Sequence, residues 1–220
     1  IMSGIVGSKF NIRGSGLVGS LGTDGQHMLS AGAGKTNVFE TVAAAAGGAW
    51  TKIENQSITS NTATVDFTTL SSDYRDFRIF CSGVTPETND SILRLLVSEA
   101  TTFQTTYYSW INTQQKSDSG TNNVTYDGND DHMPLEKIGA GTSSGENFST
   151  EITIFDVHDT AFSKPIRFVS SQRAAALGVT SYCDGAGVRQ GTAAIDGLRL
   201  LFSADDIALG EFTLYGRKIT

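Results

Sequence analysis

The sequence predicts an all-β protein, specifically a jelly-roll-like antiparallel β-sandwich preceded by an extended, glycine-rich N-terminal arm. Three observations support this fold class. Residues 1–48 hold eleven of the 24 glycines and few large apolar side chains. After Trp50, short runs of β-forming residues alternate with clusters of Ser, Asn, Asp and Gly. Residues 208–216 alternate large apolar and polar side chains, which is typical of a β-strand.

Residues 1–48 are the predicted arm, and residues 49–220 are the predicted sandwich domain. Ordering a glycine costs more conformational entropy than ordering other residues, so the arm is not expected to build its own core. Short apolar islands in it favour ordering against neighbouring subunits or another protein, the alternative being a flexible linker. One helical turn is predicted at 41–46, ended by Gly47 and Gly48.

The strands of the domain are predicted from short alternating or continuous apolar runs. In chain order these runs lie at residues 63–67, 77–81, 93–97, 107–111, 152–154, 155–157, 166–168, 179–181, 198–202 and 212–214. Nine or ten strands are enough for two packed sheets. Phe80 interrupts the alternation of its run, which predicts a strand covered on both faces.

Two further segments of the domain need a choice between structures. Residues 91–99 place Ile92, Leu95 and Leu96 on one helical face, but the surrounding β pattern favours a strand. Residues 116–131 are rich in Ser, Gly, Asn and Asp and predict a long loop. A loop of that length in a compact domain is usually functional or mobile.

The composition limits the classes of partner. A chain of 220 residues with 39% hydrophobic content suits a globular domain, while the net charge of −7 and dispersed Lys and Arg argue against nucleic-acid binding. No apolar run reaches the roughly 20 residues that span a bilayer, and residues 1–20 show no secretion signal, so no membrane insertion is expected. Cys81 and Cys183 lack CxxC spacing and are expected to be reduced and buried.

The motifs that suggest nucleotide binding or catalysis do not meet the requirements of those sites. Gly34-Lys35-Thr36 has the end of a P-loop, but Leu29 occupies the position of its first glycine. The histidines, His27, His132 and His158, lie in different segments, and no Gly-x-Ser-x-Gly elbow is present. No catalytic residue and no cofactor site is therefore predicted, and the chain is not expected to be an enzyme.

Asp127, Asn129 and Asp131 have the 1-3-5 spacing of oxygen ligands that opens a calcium loop, with Glu136 nearby. The sixth position, which requires glycine, is His132, and the twelfth is Ile138 instead of a bidentate glutamate. A surface loop with solvated carboxylates is the favoured interpretation and no metal site is predicted. A cation site of another kind, formed with other loops, stays open.

An aromatic group is the best candidate for recognition. Tyr107, Tyr108, Trp110, Tyr126 and Tyr182 either form a contact platform for a sugar or receptor, or pack in the core and on sheet faces. Tyr126 is the best exposed candidate because it lies in the predicted long loop. The proposed receptor-contact residues are Tyr126, Asn122, Asn123 and Asp127, since exposed aromatic and amide groups are used in carbohydrate and protein recognition.

Two segments carry a resemblance to a known family. Residues 22–34 and residues 208–216, which include Gly210-Glu211-Phe212-Thr213-Leu214-Tyr215-Gly216, resemble small fibre and appendage proteins of tailed bacteriophage particles. The compact β-domains of those proteins end in a similar Gly-x-Phe/Ile-x-Leu-Tyr-Gly strand. The resemblance implies a virion protein, assembled in the host cytoplasm, that is a homotrimer bound to other virion structural proteins.

These expectations lead to three functional hypotheses. The first is a non-enzymatic tail fibre or appendage protein, anchored by its arm, whose sandwich attaches to a glycan or protein of the host surface. The absence of an internal repeat or heptad shaft favours a short appendage over a long fibre. The second is a protein that decorates the capsid. The third is a carbohydrate-binding module of a cell-surface protein, which requires a secretion signal upstream of Ile1.

Overall fold

The computed structural model describes residues 27–29, 38–40, 50–120, 122–137, 139–143, 145–173 and 179–218. The chain divides into two units, Ile1–Ala46 and Gly47–Thr220. In the first unit, β1 (His27–Leu29) and β2 (Val38–Glu40) pair in antiparallel register. This short ladder was not predicted from the sequence. The rest of the predicted arm, with the helical turn at 41–46, lies outside the described residues.

The second unit is an antiparallel β-sandwich, which confirms the predicted all-β fold. Its described residues contain thirteen strands and no helix. The strands are β3 (Trp50–Ile58), β4 (Val65–Phe67), β5 (Asp76–Pro86), β6 (Leu93–Glu99), β7 (Thr102–Phe103), β8 (Tyr108–Lys116), β9 (Asn123–Asp130), β10 (Met133–Pro134), β11 (Phe148–Ile154), β12 (Pro165–Arg173), β13 (Thr180–Arg189), β14 (Gly197–Phe202) and β15 (Ile207–Arg217). The described part of the chain has no helix long and apolar enough to cross a membrane.

The strands form two sheets of unequal size. The larger has eight strands in the order β3-β15-β5-β11-β12-β13-β8-β9, and the smaller has the order β10-β6-β14-β4 with β7 added to β6. All the neighbouring strands run antiparallel. The strand predicted at 93–97 is β6, so the helical alternative for residues 91–99 is wrong.

The two sheets share one core of buried apolar side chains. From the larger sheet it includes Phe77, Ile79, Cys81, Phe148, Ile152, Ile154, Ile166, Phe168, Cys183, Phe212 and Leu214, and from the smaller sheet Val65, Phe67, Leu93, Leu95, Val97, Leu198, Leu200 and Phe202. Strand β12 shows the alternation most clearly, since each even-numbered residue is buried and each odd-numbered one is exposed. Its odd-numbered side chains therefore lie on the outer face of the sandwich.

The two cysteines are free and buried, as predicted. Burial disfavours the thiolate and raises the pKa of Cys183 to about 12. The pKa of Cys81 is also raised by its burial. Both thiols are therefore protonated core side chains at neutral pH.

Two local predictions about strands are wrong. Phe80 is 38% exposed on the outer face of β5, where its ring packs edge-on against Tyr215 at 5.6 Å, so this strand is covered on one face only. Residues 155–157 do not continue a strand. Strand β11 ends at Ile154, and Asp156 has a positive φ of 52° that is incompatible with extended backbone.

A carboxylic acid is buried where the chain enters the core after β10. Glu136 is 2% exposed, and its Oε1 accepts a hydrogen bond from the backbone N–H of Leu93 at 3.0 Å. Burial raises the pKa of Glu136 well above its ordinary value, and the nearby Asp90 carboxylate raises it further. The folded protein therefore holds a proton on Glu136 at pH values at which the unfolded chain releases it.

Replacing Glu136 with glutamine is expected to stabilise the protein at neutral pH. Because the folded pKa is raised, the native protein loses stability as pH rises above the unfolded value of about 4.5. Glutamine does not titrate. The free energy of unfolding of Glu136→Gln should therefore exceed that of the native protein by a large amount at pH 7–8, and the difference should vanish below about pH 4. Unfolding by urea across this pH range measures it. Exposed Glu87 provides the control Glu87→Gln, and parallel stability curves for Glu136→Gln and the native protein would contradict the assignment.

Candidate binding surface on the eight-stranded sheet

Tyr126 lies in β9, at one edge of the eight-stranded sheet, and its side chain is 78% exposed. Across the strand pair its partner is Ile111 in β8, which is 51% exposed. Val124, two residues before Tyr126, is 54% exposed. Because side chains two residues apart share a face of a strand, these three groups form one apolar patch on the outer face.

From the edge strand β9, the patch continues across the outer face toward the middle of the sheet, along one row of strand partners. Ile111 is the partner of Ala186 in β13, and Ala186 is the partner of Arg167 in β12. A depression of about 580 Å³ opens on this row. Its lining is mainly apolar and includes Trp110, Ile111, Phe155, Pro165, Arg167 and Ala186. An exposed tyrosine therefore lies in the same row as a concave apolar surface. We name this surface the outer-face site, which consists of Tyr126, Ile111, Ala186, Arg167 and the depression.

Side-chain hydrogen bonds hold the β8–β9 hairpin that carries Tyr126. The indole N–H of Trp110 donates to Asp130 Oδ2 at 2.9 Å. The amide of Gln190 donates to the carbonyl oxygen of Gly128 at 2.8 Å. These bonds fasten the end of β9 to its neighbours at the position where the β8–β9 pairing shifts register. Tyr126 thus has a fixed strand position.

The prediction of a long loop at 116–131 is wrong, because residues Asn123–Asp130 form β9. Val124 and Tyr126 alternate with polar residues in this segment, and an edge strand tolerates such a polar composition. The exposure predicted for Tyr126 is confirmed, but it arises from an edge strand.

The three polar residues predicted to act with Tyr126 are placed differently from one another. Asn122 is exposed just before β9. Asn123 is half-buried and lies an odd number of residues from Tyr126, so the alternation of β9 places it on the opposite face. Asp127 is exposed, and its Oδ1 accepts a hydrogen bond from the backbone N–H of Asn129 at 2.7 Å. The structure therefore places Asn123 and Tyr126 on opposite faces of β9.

The other predicted aromatic residues do not form a single platform. Tyr108 is fully buried, and its hydroxyl donates to Gln104 O at 3.1 Å and accepts from Val97 N at 2.9 Å. Burial raises the pKa of Tyr108 to about 12. Tyr182 is 41% exposed on β13, and Tyr107 is exposed just before β8. Core packing therefore accounts for Tyr108.

Two of the oxygen groups considered for a calcium loop, Asp127 and Glu136, are engaged elsewhere. Glu136 is buried between the sheets, away from solvent, and Asp127 is engaged with its own turn. Asp130, Asp131 and His132 have ligand atoms within 4.8 Å of one another. Here His132 Nδ1 contacts Asp131 and lies 3.3 Å from Asp130 Oδ1, and hydrogen bonding from His132 lowers the pKa of Asp131. Both carboxylates of this cluster therefore already have the imidazole as a partner.

A second concavity of about 610 Å³ is polar and lies around Arg75, Asp156, His158 and Asp159. Three of its charged groups, Arg75, Asp156 and Asp159, already have partners. Arg75 pairs with Asp156, and the Asp159 carboxylate accepts hydrogen bonds from the N–H groups of Ala161 and Phe162, which lowers its pKa. These contacts give the carboxylates a structural role at the end of β11.

Sequence reasoning missed three members of the outer-face site, namely Ile111, Ala186 and Arg167. Each belongs to a different strand, so only the sheet order brings them together with Tyr126. The alternation within β12 was the one available signal for Arg167, because it places this residue on the outer face. Comparison with known proteins found no matching family model and no matching curated protein.

Proposed function

We propose that the sandwich is a non-enzymatic recognition domain that binds a partner through the outer-face site. The observation that carries this proposal is the exposed Tyr126 and its apolar neighbour Ile111 beside a concave surface of about 580 Å³. Exposed apolar clusters on a sheet face commonly mark binding sites. A tyrosine adds a large rigid contact with one polar end, which suits both sugars and proteins.

We further propose that the protein belongs to a virion, as a trimeric tail appendage whose first unit docks on other virion proteins. Support for this comes from the resemblance of residues 22–34 and 208–216 to phage appendage proteins. The net charge of −7 disfavours nucleic acid as the partner. The mass of the full chain in solution, measured by light scattering, tests the trimer.

Replacing Tyr126 with alanine is expected to weaken binding to host cells at least about tenfold. Truncating a tyrosine that anchors an interface commonly has an effect of this size. The assay measures binding of the fluorescently labelled full chain to cells. Phe162 supplies the control because it is also strongly exposed but does not line the outer-face site. Phe162→Ala should bind like the native protein. Equal binding by Tyr126→Ala and the native chain would refute the role of this site.

The second candidate is a capsid decoration protein. This hypothesis assigns particle binding to the arm, and the chain does divide into two units, with the boundary after Ala46. In that case deleting residues 1–40 should abolish binding to particles while the sandwich stays folded. Particle binding by the truncated chain would exclude the decoration hypothesis. For the carbohydrate-binding module, the decisive observation is a secretion signal encoded upstream of Ile1.

A further inference from the structure

Arg167 lies on the outer face of a central strand of the larger sheet. It lies in β12, its side chain is exposed, and its strand partners are Thr153 and Ala186. The depression of about 580 Å³ meets a second depression of about 310 Å³ at this residue. Both are lined by Arg167 and Phe155. A cationic group and an aromatic ring thus stand between two adjoining concavities.

The charge of Arg167 is not neutralised within the part of the chain that the structure describes. The described ion pairs of arginine involve Arg75, Arg78, Arg189, Arg199 and Arg217. Arg78, which also lines the smaller depression, is 3.1 Å from Glu151 and donates to Thr153 Oγ1 at 3.1 Å. No such contact joins Arg167 to a carboxylate among the described residues.

The neighbouring charges limit the ligand to one negative group at this position. Arg78 and Glu151 cancel one another on one side of Arg167. Asp184 is the partner of Val169 and so lies on the same face, diagonally across from Arg167. A second anionic group on the ligand would be repelled by the Asp184 carboxylate. Local charge complementarity therefore favours a singly charged anion over a doubly charged phosphate.

We propose that the outer-face site binds a carboxylated saccharide, with the acidic sugar at Arg167 and the next sugars toward Tyr126. The proposal rests on the proposed recognition function and specifies its ligand. A guanidinium pairs with a carboxylate through two parallel N–H···O bonds. The apolar surfaces of Phe155, Ala186 and Ile111 fit the C–H faces of sugar rings.

The test is calorimetric binding of the full chain to tetrasaccharides that carry one acidic sugar, glucuronic, galacturonic or sialic acid, at one end. Each is compared with the same tetrasaccharide after its carboxyl group is reduced to an alcohol. At least one acidic tetrasaccharide should bind at least about tenfold more tightly than its reduced form, and binding should weaken as salt rises. No binding by any acidic tetrasaccharide, or equal binding by the reduced forms, would overturn the proposal.

Substitutions at Arg167 separate this proposal from the wider recognition function. Arg167→Gln should lose at least about tenfold in affinity for the acidic tetrasaccharide, and Arg167→Lys should retain part of it. Arg173→Gln is the matched control, because Arg173 is exposed on the same face of β12 at its far end. If Arg167→Gln binds acidic tetrasaccharides and host cells like the native chain while Tyr126→Ala loses cell binding, this inference fails and the proposed function stands. If Tyr126→Ala also binds cells normally, both fail.

Discussion

Replacing Phe212 with alanine is expected to lower the free energy of unfolding by about 3–5 kcal/mol, which is the usual cost of removing a buried phenylalanine ring. Phe212 is fully buried in β15 and belongs to the shared core. Its strand partners are Cys81 in β5 and Gln56 in β3, so it is surrounded by the larger sheet on both sides. The loss of the ring therefore leaves a cavity that neighbouring strands cannot readily fill.

Denaturant unfolding monitored by circular dichroism measures this loss. Glu211→Ala is the matched control, since Glu211 precedes Phe212 on the same strand and is exposed on the outer face. The control should change stability by less than about 0.5 kcal/mol. A similar small change for Phe212→Ala would mean that the ring of Phe212 does not pack in the shared core.

The second large effect is expected at Asp76, whose side chain is buried at the start of β5. One of its oxygens accepts a hydrogen bond from Arg217 Nε at 2.8 Å, and the other accepts one from the backbone N–H of Asp156 at 2.9 Å. Asp76→Ala removes both acceptors and should cost about 2–3 kcal/mol, because Arg217 is partly solvated and can regain water.

Two companion variants make the test of Asp76 specific. Asp76→Asn keeps the shape and one acceptor, and it should cost less than Asp76→Ala. Asp73→Ala removes an exposed carboxylate three residues earlier and should be close to neutral. Thermal unfolding of the three variants, measured at one pH, ranks their losses of stability. An equal loss for Asp73→Ala would show that general surface charge, not the buried contacts, is responsible.

Much of the sandwich was predictable because its central strands have strong apolar alternation. Leu198-Leu200-Phe202 and Phe212-Leu214 lie in β14 and β15, as predicted. The two edge strands of the larger sheet were missed for a physical reason. β3 and β9 each have a neighbouring strand on one side only, so they carry polar residues that a pattern of apolar alternation does not detect.

The candidate site was predictable only in part. A single tyrosine in a polar segment predicts exposure, and Tyr126 is exposed. Its neighbours come from segments up to about 60 residues away, and the order of β12, β13, β8 and β9 in the sheet cannot be read from local periodicity. That Arg167 has no ion-pair partner among the described residues is likewise a property of the folded surface, since ion-pair partners are set by tertiary contacts.

The position of β15 between β3 and β5 has a consequence for protein synthesis. Among the described strands, β3 joins its sheet through β15 alone, and roughly 150 residues separate Ile58 from Ile207. At a translation rate of 5–20 residues per second, β3 leaves the ribosome about 8–30 s before its partner has been synthesised. In that interval its nine residues have no strand to pair with. β3 therefore joins the larger sheet only after β15 has been synthesised, whatever the order in which the other strands pair.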